Sequence, residues 1–319
     1  MRLSRLVAGL LLGVIAFSPG AVSAQDSYPS KVIRIVAPAP GGGSDVLSRL
    51  IAPGLASSLG QQVIVDNRGA VASEIAAKAA PDGYTLLVNG SPVWLLPLLR
   101  ASVPWDAVRD FVPITLAVSS PSILVVHPSL PVKSVRELIA LAKARPGELN
   151  YAAGTMGATP HLAAELFKAM AGVNIVRVAY KGTGPGLIGL ISGEVGLMFP
   201  NAGSAMPHVK SGRLRALAVT TAQPSALVPG VPTLAASGVP GYESVSPQAV
   251  FAPARTPATI INRLNQEIVR VLSTADVKGK LFNTGIEVVG SSPEGLAAKM
   301  KSDMARIGKL VKDAGIRAE

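Results

Sequence analysis

Runs of β-branched residues alternate with helical patterns along nearly the whole chain, and that alternation confines it to sheets of parallel strands covered by helices. "KVIRIVAP" leads into a helix over 44–59, "QVIVDN" into one over 72–80, and "YTLLVNG" into a short apolar turn around Trp94. Further on, "ILVVHP", "LNYAAG", "NIVRVAY", "EVGLMF" and "LRALAVT" read as strands, with helices over 134–144, 160–171 and 202–211 between them. The last third turns mostly helical, over 257–272 and 293–314, with apolar residues spaced by three and four. Pro53 removes a backbone hydrogen bond from the first helix and predicts a kink.

Two transitions divide this pattern. One lies at "LAVSSPSILVVHPSLP"; the other, "TTAQPSALVPGVPTLAASGVPGY", is rich in Pro, Gly and Ser and reads as a long surface connection. They predict one lobe built from 25–121 and 225–319, with a second lobe, 122–224, inserted into it. A chain of 319 residues suffices for two moderate cores.

The first 24 residues stand apart as an export signal: Arg2 and Arg5 precede the apolar "LVAGLLLGVIAF", and Val22-Ser23-Ala24 supplies a cleavage site. The apolar run is too short to span a bilayer stably. Cleavage after Ala24 leaves a mature chain with net charge +9, the full chain's +11 less two arginines. Such a surplus attracts anions of any kind. Export and an aromatic content of only 4% argue against nucleic acid, since few platforms remain for stacking bases. The chain has no cysteine, which excludes disulfides, thiolate catalysis, thiolate metal sites and a lipid anchor on cysteine.

Chemistry concentrates in two strand-loop-helix turns. In "IVAPAPGGGSDVLSRLIA", Ala39, Gly41, Gly42, Gly43, Ser44 and Asp45 stand between a strand and a helix. Glycines admit positive φ and close approach, so successive N–H groups can converge on one anion beside a helix N-terminus. The loop lacks the Gly-Lys-Ser/Thr ending of a P-loop and does not fit G-x-G-x-x-G, because Val46 or Leu47 stands where the third glycine belongs. A plain tight turn with Ser44 or Asp45 as N-cap remains the competing reading. "LNYAAGTMGATPHLAAELF" repeats the design with Ala153, Gly154, Thr155, Gly157, Thr159 and His161, and Pro160 opens the helix. Two such turns facing one cleft would clamp a carboxylate with backbone donors alone.

Other candidates carry two readings each. His161 either packs or faces the ligand. Tyr180 and Lys181, in "VAYKGTGPG", either pack and solvate or reach the cleft ahead of another flexible loop. Asn201 serves as an amide contact or a cap, and Trp94, with Asn89 and Ser91, as a cleft wall or core. Asp45 fits a helix cap better than a general base. His127, His161 and His208 are too scattered for a metal site, and neither H-E-x-x-H nor G-x-S-x-G occurs, so neither a metal nor a cofactor is expected.

Blocks of sequence in fixed order, among them "YPSKVIRIVAPAPGGGSDVLSRLIAPGLASSLGQQVIVDNR", "AAPDGYTLLV", "VRDFVPITL", "LNYAAGTMGATPHLAAELF", "VAYKG", "GRLRALAVT" and "PGVPTLAASGVPGYES", resemble the tripartite tricarboxylate transporter substrate-binding receptors, or Bug proteins. The resemblance runs from Tyr28 to about Ile316. It implies a type II-like periplasmic-binding-protein fold, α/β in class, with two α/β lobes joined by two crossing strands and a ligand cleft between them. It also implies a periplasmic monomer that captures a small organic acid for an inner-membrane tricarboxylate-type permease. In that family one ligand carboxylate is held by the two turns, here 39–45 and 153–161, partly through water. Three places depart from the family pattern: Pro200 precedes Asn201 where Asp is common, Ser246-Pro247-Gln248 replaces an aromatic pair, and Gly69 is followed by Ala70-Val71-Ala72. These lie at expected cleft walls and leave the identity of the acid open, not the fold. The low charge of the candidate contact set, with Pro200 and Trp94 near it, tilts the reading slightly toward one carboxylate on an apolar body. An exported enzyme acting on a carboxylic acid, or a receptor for a signalling partner, are the alternatives.

Overall fold

The computed structural model describes residues 28–154 and 158–314. The expected signal peptide, 1–24, lies outside the described residues, as do Thr155 and Gly157. In chain order the elements are β1 (Ile33–Ala37), α1 (Gly43–Leu59), β2 (Val63–Asn67), α2 (Ala72–Ala77), β3 (Thr85–Gly90), α3 (Pro92–Leu99), β4 (Phe111–Pro121), β5 (Ile123–Val126), α4 (Val135–Ala144), β6 (Asn150–Ala153) and α5 (Thr159–Ala171). They continue with β7 (Val176–Ala179), α6 (Thr183–Ile191), β8 (Leu197–Met198), α7 (Ala202–Lys210), β9 (Arg215–Val219), β10 (Val245–Pro253), α8 (Ala258–Leu272), α9 (Ala275–Asn283), β11 (Glu287–Val288) and α10 (Pro293–Ala314).

These strands form two sheets, one of six strands in the order β11-β4-β10-β3-β1-β2 and one of five in the order β7-β6-β8-β5-β9. The expectation of parallel sheets holds for β1 with β2 and β3, and for β6 with β7 and β8. It fails where the chain passes between the sheets. β10 runs antiparallel to β3 and β4, and β5 antiparallel to β8 and β9. A chain that leaves one sheet and later re-enters it must run one passage against the other, and β4 with β10 form that pair. The two passages are tied together beyond β4: Thr220 donates its N–H (3.0 Å) and its hydroxyl (2.8 Å) to the carbonyl of Ser122, whose own N–H donates to Thr220 Oγ1 at 3.0 Å. Both residues are fully buried.

Helix α1 forms because Leu47, Ile51, Leu55 and Leu59 recur at its 3.6-residue period and bury one face against the six-stranded sheet and α8. Each such side chain stabilises the fold by about 2 kcal/mol through burial. A Cβ on Gly54 would lie 2.7 Å from Val271, so glycine is what lets α1 and α8 come this close. The helix continues unbroken through Pro53 and ends at Gly60, whose φ of 68° suits the left-handed cap that glycine adopts without a steric penalty.

Three expectations need correcting. The turn around Trp94 is helix α3, and the flexible loop expected after Lys181 is helix α6. The glycines of α6 serve close packing, since a Cβ on Gly186 would meet Met198 at 3.0 Å and one on Gly189 would run into the Tyr180 ring. The connection over 220–244 is not merely superficial: Val228, Leu234, Val239 and Tyr242 are buried, Leu234 donates to the Val219 carbonyl (2.9 Å), and Tyr242 Oη donates to that of Ala163 (2.7 Å). Its prolines and glycines fix the bends, while the apolar residues between them anchor it to the second sheet and to α5.

Candidate ligand-binding cleft

The first turn is held shut by its own acid. After β1 the chain turns through Gly41, whose φ is 76°, and α1 begins at Gly43 with Gly42 as an N-cap that offers no side chain. Asp45, in the first helical turn, reaches back to accept the Gly41 N–H on Oδ2 at 2.9 Å. Its other oxygen accepts from Arg49 Nε (2.9 Å) and Asn67 Nδ2 (3.1 Å). Asn67 Nδ2 also donates to the Pro38 carbonyl at 3.1 Å, so the end of β2 braces the loop after β1. The Gly41 N–H first, then Arg49 and Asn67, hold the Asp45 carboxyl below its usual range against the opposing effect of burial. Asp45 thus staples the loop as an ionised group. Among the described residues, no group accepts from the backbone N–H of Gly42, Gly43 or Ser44. These are the unpaired donors at the positive end of the α1 dipole.

The second turn is built from different chemistry. β6 runs between β7 and β8 and ends at Ala153, which is buried. Arg177 of β7 donates through Nη2 to the Gly154 carbonyl at 2.8 Å. A Cβ on Gly154 would stand 3.1 Å from the Cα of Gly182, so two backbones meet there. Helix α5 then begins at Thr159 behind Ala158, again an N-cap without a side-chain acceptor. His161 is only 4% exposed, and burial, with Arg177 nearby, pushes its pKa down to about 4. It is a neutral imidazole at physiological pH.

Both first turns open on one cavity of about 320 Å³, lined by Ser44 of α1 and by Ala158 and Thr159 at the start of α5. The end of β3 and the start of α3 contribute Asn89, Gly90, Ser91 and Pro92, and β10 contributes Ser246, Pro247 and Gln248. Leu95, Leu96 and Leu99 of α3 form an apolar side. Ser44 Oγ donates to Gln248 Oε1 at 2.5 Å, and a Cβ on either Gly43 or Gly90 would lie 3.2 Å from Gln248 Nε2. The Gln248 amide is therefore seated between two glycines. Asn89 is held from behind, donating to Ser73 Oγ at 3.0 Å and accepting the Gly90 N–H at 2.8 Å. A smaller chamber of about 30 Å³ shares Ser91, Leu95 and Thr159 and is lined by Glu243, Lys299, Asp303 and Arg306.

Of the residues read from the sequence, Ser44, Asn89, Ser91 and Thr159 are brought together on this cavity, with Gly43 against Gln248. Ala39, Gly41 and Gly42 stay exposed on the first turn. Trp94 is fully buried, donates to Asp303 Oδ2 at 3.3 Å and packs at 6.3 Å on Phe251, so it belongs to the core. Tyr180 packs against α6, and Lys181 is exposed; neither lines the cavity. Asn201 sits at the strand crossing, 3.4 Å from Ser122 Oγ. The residues that the reading missed are Gln248 and the leucines of α3. Gln248 stood out only as a departure from the family pattern, and the leucines were hidden by taking α3 for a turn. Among the described residues no cluster of three or more His, Cys, Asp or Glu is placed to hold a metal, and no helix is long and apolar enough to cross a membrane.

The family model described as the tripartite tricarboxylate transporter family receptor matches residues 47–316. The chain belongs to that family. This receptor is 35% identical to Protein BugT of Bordetella pertussis over 99% of both chains. Among solved structures, it resembles the R. palustris protein Rpa4515 with adipate, with 38% identity and a TM-score of 0.73 over 91% of this chain and 99% of that one. It also resembles MatC from Rhodopseudomonas palustris with bound malate, with 29% identity and a TM-score of 0.68 over 89% of this chain and 100% of that one. The fold is thus that of the two-lobed solute-binding receptors, with the cavity lying between the two sheets.

Proposed function

We propose that the receptor captures a small carboxylic acid in this cavity and hands it to a tripartite tricarboxylate-type permease of the inner membrane. One observation carries the reading: the first turns of α1 and α5, neither capped by a side chain, share a cavity with hydroxyl and amide side chains around it. Helix N-termini of this kind favour an anion without a buried counter-cation. The adipate and malate held by the relatives support the same class of ligand. In this reading the protein works as a periplasmic monomer after cleavage of its signal peptide, and the lobes, 25–121 with 225–319 and 122–224, close on the acid by hinge motion. The ligand-holding turns are 39–45 and 153–161. Binding without catalysis is favoured over an enzyme by the state of the candidate bases. Asp45 is committed to its own loop, His161 is buried, and Tyr180 and Lys181 lie away from the cavity.

A thermal-shift series with organic acids at millimolar concentration tests this. Ligand at about a hundred times its dissociation constant adds ~2.7 kcal/mol to stability. At least one acid is expected to raise the melting temperature while its methyl ester does not. Equal shifts from acid and ester would overturn the anion cradle. Conversion of the bound acid on incubation would overturn the receptor reading in favour of an enzyme.

A further inference from the structure

The lining of the cavity is of two kinds. The Ser44 hydroxyl, the Gln248 amide and the start of α5 at Thr159 are polar but uncharged. The side chains of Pro92, Leu95, Leu96 and Leu99 of α3 present only carbon. No Lys, Arg, His, Asp or Glu is among the described residues lining it. The charges of the adjoining smaller chamber are already matched. Lys299 Nζ lies 3.0 Å from Asp303 and 3.1 Å from Glu243, and Arg306 Nη2 lies 2.9 Å from Asp303. Two cations facing two anions give a second ligand carboxylate no net attraction, and a space of about 30 Å³ has room for little beyond a water molecule.

We propose that the cleft selects monocarboxylates carrying an apolar body, with the backbone N–H of Ser44 and the Gln248 amide N–H reading the carboxylate and Leu95, Leu96 and Leu99 receiving the body. The proposal rests on the carboxylate reading above and narrows it. A carboxylate needs only one set of converging N–H donors, and the helix starts with Gln248 Nε2 provide it. With Oε1 occupied by the Ser44 hydroxyl, the Gln248 amide is oriented so that its N–H groups remain as donors between Gly43 and Gly90. A second carboxylate at the far end of a linear acid would instead shed its water against leucine side chains with no counter-charge. An aliphatic or other apolar tail gains there by burial. The preference separates this receptor from the relative whose structure holds adipate, an acid charged at both ends.

Matched pairs of equal chain length decide the matter: butanoate with succinate, hexanoate with adipate, and octanoate with suberate, titrated calorimetrically into the full mature protein. The expected result is that within the best-binding length the monocarboxylate binds at least tenfold more tightly than its dicarboxylate. Equal or tighter binding of the dicarboxylate overturns this inference and leaves the carboxylate reading standing. Absence of binding by every acid overturns both. As a second arm, Leu96→Lys at the half-buried wall of the cavity is expected to shift the ratio toward the dicarboxylate by tenfold or more, and an unchanged ratio overturns the assignment of α3 to the ligand body.

Discussion

The two turns that open on the cavity look alike in sequence and are held in opposite ways. The first is stapled by an anion: Asp45 takes the Gly41 N–H and is balanced by Arg49 and Asn67. The second is held by a cation, with Arg177 on the Gly154 carbonyl and a backbone contact to Gly182 behind it. A staple on an N–H consumes one donor of the turn, whereas a staple on a C=O consumes none. The first turn also borders a movable side chain, Gln248, where the second borders main chain. Damage to the first should therefore appear mainly in ligand affinity, and damage to the second mainly in stability.

The sharpest way to break this contrast is a pair of alanine substitutions. Gly154→Ala places a Cβ 3.1 Å from the Gly182 Cα, and neither backbone can yield cheaply, so a loss of about 2 kcal/mol in unfolding free energy is expected in urea titration. Gly43→Ala meets only the Gln248 amide and gains helix propensity. Its stability should stay within about 0.5 kcal/mol of wild type while carboxylate affinity falls. Equal losses of stability in both variants would erase the distinction.

Removing the anionic staple comes next in size. Asp45→Ala deletes hydrogen bonds from Gly41, Arg49 and Asn67 to a buried carboxylate and is expected to cost about 2 kcal/mol, with Asp45→Asn retaining part of it. Because the folded pKa of Asp45 lies below its unfolded value, this contribution is present above the unfolded carboxylate range and fades as the pH drops. The difference between wild type and Asp45→Ala should shrink on acidification. A difference that stays constant down to acid unfolding would contradict the staple.

The last test reaches the second turn through His161, whose effect appears only on acidification. Its folded pKa of about 4 lies below the ordinary histidine value of about 6.5, so the neutral folded ring confers stability that is complete above about 6.5. That stability is lost as the pH falls toward 4. The loss at pH 5 should approach about 2 kcal/mol, or a few degrees in melting temperature. His161→Gln should flatten this slope between pH 7 and 5; an unaltered slope would mean the ring is already solvated.

Legibility followed locality. The strands β1 to β3 and β5 to β9 and the long helices were readable because a β-branched run or a 3.6-residue spacing is contained within a few neighbouring residues. Helices α3 and α6 were not. Pro92 and Pro97 in the one, and Gly184, Pro185, Gly186 and Gly189 in the other, spell a loop to any local rule, and only contacts with Met198 and Tyr180 make the glycines of α6 intelligible. The same distinction divides the site. The two turns could be seen as backbone cradles, but Gln248 meets Ser44 across 204 positions, and Trp94 meets Asp303 across 209. The partner of a side chain at that separation is set by sheet order. Antiparallel pairing of β10 with β3 puts Gln248 opposite Gly90.

The Ser122–Thr220 pair has a mechanical consequence. Both passages between the sheets meet there in a dry ring of three hydrogen bonds, so sliding one half of the molecule along the other would shear bonds that no water can replace. Swinging leaves the ring whole. For the proposed closure of the lobes, a rotation passing through that knot is the movement expected to leave it intact.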